Sequence, residues 1–444
     1  QVFKETRQAA SRRKKPAWDL KPLLLLSLTM TWCAGDSTPE KWETARAFYV
    51  LAHDKQKRPG KTFEGFRKAL ERLPMPVLRT LAAALRKQIL QRFAENWRTQ
   101  GFVPIGCDGT RLECPRSEEL EQRLGTFQKK EGENSSAPML WNTALVHLRL
   151  GIPWAWRWGL GGKASERAHL QQMLGCLPAA ALLVCDAGFV GYELAARLFR
   201  RRVDFLIRMS SMARLYSPDK TPLETWRDGL VYYWPATAEK AKQPPLPCRL
   251  IRISDPSWNH DVWLLTNVTC SERLPVSLAS RFYRWRWESE QFFRTYKRTV
   301  GMVRLTCRTV RMAHREAECS ILATQLLLCQ SAWAQRGLRT PTGEPAAASS
   351  PRQSLLLVRR AMRGDPKAPR NFEQALRKCV RECRRRLSAK AKRAWPRRKN
   401  HKPPKPPKLH PLTEKVKARM EKIRKHIDAT KLVPKHDLLE VSAA

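Results

Sequence analysis

Apolar residues recur every three or four positions through residues 39–97, where PEKWETARAFYVLA, FEGFRKALERL and MPVLRTLAAALRKQILQRFAENW alternate them with Lys and Arg. That period predicts amphipathic helices. Upstream, LLLLSLTMTWC (23–33) follows a basic segment and imitates a secretory signal. It is too short to span a bilayer, and the chain from Glu40 onward lacks the small-residue context of a cleavage site, so the expectation is a buried helix. From residue 101 the period changes. FVPIGCDGT reads as a short strand ending in Asp108, and MLWNTALVHLRL with IPWAWRWGLG reads as a β-hairpin turning at Leu150-Gly151. SERAHLQQMLGCL is an amphipathic helix with Ser165 in the capping position. AALLVC is a continuous apolar run of buried-strand length ending at Asp186; a helix (GYELAARLFRRR) and a strand (DFLIRM) follow. This is a βαβ unit with an acid at the carboxyl end of its first strand, where α/β sheets place their ligands.

Between 210 and 275 the pattern turns to short β-type runs, VYYWPA, CRLIRIS and DVWLLTNV, separated by polar and Pro-rich loops. The apolar run SILATQLLLCQSAWA then predicts a helix over the core. Beyond Gly337 the chain reads as loop, and residues 377–408 hold fifteen Lys or Arg against one acid and end in Pro pairs. Such a segment cannot build a core and is expected to be extended. The terminal LTEKVKARMEKIRKHI reads as a cationic helix, either solvated or on DNA, with Val416, Met420 and Ile423 as an alternative dimer contact. No internal repeat is visible.

Charge narrows the partners. The 444 residues carry 84 Lys+Arg against 40 Asp+Glu, a formal net charge of +44. An excess of this size strains a compact state unless a polyanion neutralises it, which favours nucleic acid first and an anionic membrane surface second. The twelve Cys include no CxxC pair, so they are read as reduced thiols with no metal site of their own.

The candidate chemistry centres on YRWRWESEQFFRTYK (283–297). Tyr283, Arg286, Glu290 and Lys297 are spaced three, four and seven apart; on a regular helix they fall within roughly 60° of one another. Trp285, Phe292 and Tyr296 take the opposite face. An exposed helix with an Arg286–Glu290 pair would be the plain reading, but it leaves a single Glu among two cations and a phenol unexplained. Asp108, Asp186 and Glu290 are three carboxylates that suit hard divalent cations. Two such ions about 4 Å apart can activate a water or a 3′-hydroxyl and stabilise a leaving oxygen. Each Asp alone carries little, since an Asp at a strand end is often only a cap or turn former.

These residues resemble a known family. The Y-x2-R-x3-E-x6-K spacing, the DGT after a strand, the LLVCDAGF strand end, the SER before the helix preceding Asp186, the WLLTN strand and the QFF after Glu290 are similar to the DDE transposases of bacterial insertion sequences. The group is the one named for its YREK signature, which includes the transposon-five transposase, and the resemblance covers roughly 100–335. It implies an RNase H-like core with a β-strand insertion. It implies Asp108, Asp186 and Glu290 as catalytic metal ligands for two Mg²⁺ ions, with Mn²⁺ able to substitute. It implies Tyr283, Arg286 and Lys297 as phosphate contacts and Trp287 as the residue that stacks on a flipped base; Trp263 is a weaker candidate for that stacking. Ala187 departs from the family, which often has a basic residue after the second Asp.

The resulting expectation is an α/β chain: a helical basic N-terminal region (1–100), an RNase H-like core in two parts (101–209 and 276–336), a β-rich insertion (210–275) and a basic Pro/Lys-rich tail with a terminal helix (337–444). The function expected is cut-and-paste DNA transposition, cleavage at element ends followed by strand transfer. The alternatives are an RNase H-fold nuclease without strand transfer and a catalytically inactive DNA-binding derivative. Expected partners are double-stranded DNA, both element-end inverted repeats and target, and a second copy of the chain in a homodimer, with no membrane. The expected location is cytoplasmic, at the bacterial nucleoid.

Overall fold

A computed structural model of the chain describes residues 18–53, 59–126, 136–160, 165–219, 221–254, 260–337, 349–369, 371–380 and 405–426. The chain divides into two compact units: Gln1–Trp97, Asp108–His169 and Glu288–Arg385 form the first, and Arg98–Cys107, Leu170–Trp287 and Arg386–Ala444 the second. The described strands are β1 (Val103–Glu113), β2 (Met139–His147), β3 (Ile152–Leu160), β4 (Ala181–Cys185), β5 (Asp204–Arg208), β6 (Arg214–Ser217), β7 (Asp228–Tyr233), β8 (Leu246–Ile253), β9 (Val262–Thr266) and β10 (Lys408–Pro411). The protein is mixed α/β, as its pattern predicts.

The second unit holds the predicted βαβ element. The Val103–Gly106 part of β1 pairs in parallel with Ala181–Val184 of β4, and β4 pairs in parallel with β5. All five residues of β4 are buried, which explains its unbroken apolar run. The crossover between β4 and β5 is the Tyr192–Arg200 helix, with Leu194, Ala195 and Leu198 on its buried face. The strands expected as an insertion continue the sheet antiparallel: β5 pairs β9, β9 pairs β8, β8 pairs β7 and β7 pairs β6. At the far edge β10 pairs in parallel with β6, Lys408 opposite Arg214 and Pro411 opposite Ser217. Proline lacks the amide a ladder needs, and an edge strand tolerates it.

The terminal helix, Glu414–His426, follows β10 directly. Its Val416 and Met420 are 8% and 5% exposed. Arg419 Nη1 lies 2.6 Å from Glu239 Oε1, and Arg424 sits 5.9 Å over the Tyr232 ring. Val416 and Met420, offered as an alternative dimer contact, are thus buried within the unit, while Ile423 is half-buried. Most of the Lys/Pro tail, 381–404, lies outside the described residues.

The first unit is helical around one hairpin. The Leu20–Met30 helix buries Leu23, Leu24, Leu26 and Leu28, as expected of a core helix. Ser37 and Thr62 cap the Thr38–Ala52 and Phe63–Arg72 helices by accepting from the amides of Glu40 and Gly65. Antiparallel β2 and β3 pair with a bulge between Leu145 and Val146 and turn through Gly151, whose φ of 64° favours glycine. Residues beyond Gly337 are not all loop: Pro351–Met362 and Phe372–Arg377 are helices that bury Leu355, Met362 and Leu376.

The 25-residue Val310–Ala334 helix is the centre of this unit, with sixteen buried residues. Buried polar side chains fasten it to its neighbours. Arg315 donates to the carbonyls of Leu70 and Leu73 at 3.2 and 2.6 Å, closing the end of the Phe63–Arg72 helix. Gln325 donates to Pro153 O at 2.6 Å, and the Trp156 indole donates to Glu318 at 2.7 Å. Among the described residues no helix is long and apolar enough to cross a membrane.

Burial pushes the Glu318 carboxyl above its ordinary value, and the Trp156 hydrogen bond only partly opposes it. A carboxyl raised on folding stays protonated while the unfolded chain gives up its proton. Stability is therefore lost as pH rises from the ordinary value of 4.5 toward the folded one. Glu318→Gln keeps an acceptor for the indole and removes the titration. It should melt higher than the parent at pH 8, with the advantage shrinking at pH 4; equal differences at both pH values in thermal unfolding would refute this.

Candidate functional site

Asp186 stands where the sequence placed it, directly after β4 in the second unit. It is the N-cap of a short 3₁₀ turn, Ala187–Phe189, and its Oδ1 accepts from the Gly188 amide at 2.8 Å. One oxygen is spent on the turn, and a carboxylate has further lone pairs to offer. The plain reading, a cap, is thus met by this side chain.

Asp108 differs from expectation. It does not end its strand: β1 runs on to Glu113, because Leu112 is fully buried and Leu305 donates its amide to Glu113 O at 2.8 Å. The parallel register with β4 stops at Gly106, so Asp108 still lies just past the paired part of the strand. Its Oδ1 accepts from the Gly109 amide at 2.8 Å. In the first unit Gly109 is crowded: a Cβ there would stand 2.2 Å from the Glu166 carboxylate. Glu166 opens the helix that Ser165 caps, its hydroxyl accepting from Ala168 N at 3.1 Å. The sequence marked Glu166 only as part of SER; the glycine after Asp108 was the available signal that a side chain lies over it.

The signature segment is not one regular helix. Val276–Trp285 is α-helical, Arg286 caps it, Trp287–Arg294 is a second α-helix, and Thr295–Thr299 is a π-turn closed by Val300 N to Thr295 O at 3.0 Å. Its apolar stripe is divided between the two units. Leu278, Ala279, Phe282 and Tyr283 are buried in the second unit, whereas Ser289, Phe292, Phe293 and Tyr296 are buried in the first, and the chain passes between the units at Trp287–Glu288. Each segment is buried against its own core, while Arg286 between them keeps helical angles (φ −49°, ψ −32°) and donates its amide to Phe282 O at 3.2 Å.

Tyr283, Arg286 and Trp287 belong to the second unit, and Glu290 and Lys297 to the first. Tyr283, expected on the polar face, is 7% exposed, with Arg286 5.7 Å over its ring. Trp287 is 54% exposed, unusual for a tryptophan in a folded unit. Trp263, by contrast, is 7% exposed on β9 beneath Arg252, a core position. Glu290 is half-buried on the second segment. Lys297 sits in the π-turn, where burial lowers its pKa and Glu113 opposes that shift. Glu113 also takes Arg304 at 2.9 Å, a pairing the sequence did not suggest.

The donor chemistry suits hard cations, since all three acids are carboxylates on partly exposed positions. Among the described residues no group of three His, Cys, Asp or Glu is placed to hold a metal. The eleven described cysteines are all free.

Comparison with known proteins bears on these positions. Residues 107–326, just under half of the chain, match the family described as Transposase DDE domain. Among solved structures, a cryo-EM structure of the piggyBac transposase synaptic complex with hairpin DNA is similar over 87% of this chain and 84% of its own, with 10% identity and a TM-score of 0.38. A likeness that distant carries no argument of its own. No curated protein matches the chain.

The start of the signature segment depends on one buried cation in the second unit. Arg249 is 2% exposed; it donates to Asp228 Oδ1 at 2.6 Å and to the second Asp228 oxygen, and its Nη1 donates to Leu274 O at 2.7 Å, just before the Val276–Trp285 helix. Asp228→Ala would leave a buried guanidinium uncompensated and should cost about 3–5 kcal/mol. The double variant with Arg249→Met should recover part of that loss in denaturant unfolding; strict additivity would show that the pair is not coupled.

Proposed function

We propose that this protein is a metal-dependent DDE transposase with an RNase H-like core, which cuts DNA at the ends of an element and joins the freed ends to target DNA. One observation carries this reading: the match to the transposase DDE domain spans 107–326 and so includes Asp108, Asp186 and Glu290. The +44 charge and the exposed Trp287 support a DNA partner independently of that match.

In this reading Asp108, Asp186 and Glu290 would hold two Mg²⁺ ions, which when bound supply activation of a water or 3′-hydroxyl and stabilise the leaving oxygen. The chain's own residues do the positioning. The Gly109 and Gly188 amides each occupy one oxygen of an Asp and leave the remaining lone pairs for a ligand. Arg286 and Lys297 contact phosphates of the element end, with Tyr283 fixing the plane of Arg286 from below. Trp287 stacks on a base taken out of the duplex, an interaction worth about 1–3 kcal/mol, enough to offset much of the unstacking. Water attacks the phosphodiester at each end. The freed 3′-hydroxyl then attacks the opposite strand or the target. Two copies of the chain hold two ends.

The test is an assay on DNA carrying the inverted repeats that flank the reading frame, scored for both nicks and joined products. Nicks without joined products would leave a nuclease; binding without either would leave an inactive DNA-binding derivative. Glu290→Gln should abolish cleavage while leaving DNA affinity near the parent's, because it removes a ligand charge and little contact area. A variant that cuts at an undiminished rate in Mg²⁺ would remove Glu290 from the ligand set. Arg286→Ala and Lys297→Ala should each weaken element-end binding and flatten the dependence of log K on log salt by about 0.9, one phosphate's worth. Unchanged affinity and slope in both would end their role as phosphate contacts.

A further inference from the structure

The first unit contains a cavity of about 750 Å³, within the size range of ligand pockets and far larger than packing defects. It opens among the Leu20–Met30, Thr38–Ala52, Phe63–Arg72 and Val310–Ala334 helices, and none of its walls comes from Asp108, Asp186, Glu290 or the signature cations. Its lining has two unusual features. Three methionines (Met30, Met302, Met312) and three thiols (Cys33, Cys307, Cys319) surround it, with Phe63 and Phe66 on one wall. Burial raises the Cys33 and Cys319 thiols to about 11 and about 12, so both are neutral. Sulfur of this kind is soft and polarizable and favours aromatic rings.

The second feature is charge. Lys41, Arg67, Arg308 and Arg359 line the same space, against the single acid Glu316. That acid is already engaged: Thr306 donates its amide and its hydroxyl at 2.9 Å, and the Cys307 amide donates at 3.0 Å. Arg67 is paired with Glu64 and Arg359 donates to Trp32 O, but Lys41 and Arg308 have no ion pair among the described residues. A soft aromatic wall beside uncompensated cations specifies its occupant by complementarity.

We propose that this cavity is a binding site for a small flat aromatic anion, an aromatic carboxylate or sulfonate, separate from the residues assigned to DNA. The ring system lies among the Met and Cys sulfurs and Phe66, and the anionic group meets Lys41 and Arg308. The site is independent of the transposase reading, since it uses none of that reading's residues.

The probe is 1-anilinonaphthalene-8-sulfonate, titrated by fluorescence and calorimetry into the full chain, with uncharged N-phenyl-1-naphthylamine as its neutral counterpart. One saturable site per chain is expected, with the neutral compound about tenfold weaker. Lys41→Gln and Arg308→Gln should each weaken the sulfonate about twofold to fivefold, the range of a partly screened ion pair, and leave the neutral compound unchanged. Met302→Trp should fill the cavity and abolish both. Excess random duplex DNA should not displace the dye. Displacement by duplex, many weak sites with no saturable one, or sulfonate affinity unchanged in both Gln variants would overturn the proposal. If Met302→Trp loses its circular dichroism signal, the two Gln variants decide alone, since Lys41 is half-buried and Arg308 exposed and neither is part of the packed core.

Discussion

A helix buried along most of its length loses stability for each polar group it leaves unpaired inside the protein, and the Val310–Ala334 helix imposes that constraint on the first unit. An unsatisfied buried donor costs about 1–3 kcal/mol, and a charged one more. Arg315, Glu318 and Gln325 are therefore not decoration on an apolar rod. Each reaches a different neighbour: Arg315 the carbonyls that end the Phe63–Arg72 helix, Glu318 an indole on β3, Gln325 the backbone at Pro153. Hydrophobic burial alone would let such a helix slide or rotate against its neighbours. These directional bonds fix its register against the N-terminal helices and the hairpin.

The local periods in the sequence foretell those elements because the forces that make them are local. The N-terminal helices, the hairpin, the buried β4 run with Asp186 at its end and the crossover helix all follow from spacing and capping residues. What the sequence conceals is pairing over distance. The partners that carry β1 past Asp108 come from the Val303–Leu305 segment, and those that make a strand of Lys408–Pro411 come from β6. A Pro- and Lys-rich stretch shows no strand pattern of its own, so β10 is visible only from its partner's open edge. The same applies to Val416 and Met420: a cationic helix with a thin apolar stripe reads alike whether the stripe meets a second copy, a nucleic acid or its own sheet.

The candidate site shows the same division. Asp186 was legible because a strand end is a local event. The burial of Tyr283 was not, because it depends on which core meets the segment. The apolar stripe is divided, Phe282 buried in the second unit and Phe292 in the first. A wheel at 100° per residue puts Tyr283 on the polar face, whereas its ring is buried in the second unit.

The position of Trp287 on that wheel has a chemical consequence. At 100° per residue it lies about 120–140° from Phe282 and Phe293, away from the stripe that the cores bury. Trp287 is accordingly 54% exposed, directly after Arg286. An exposed indole next to a guanidinium gains little in water. It gains a great deal against a stacked base and the phosphate beside it, where ring and cation each find a partner. The wheel itself therefore accounts for the exposure of Trp287, and an exposed indole beside a guanidinium offers the π-face and the charge that the proposed base stacking would use.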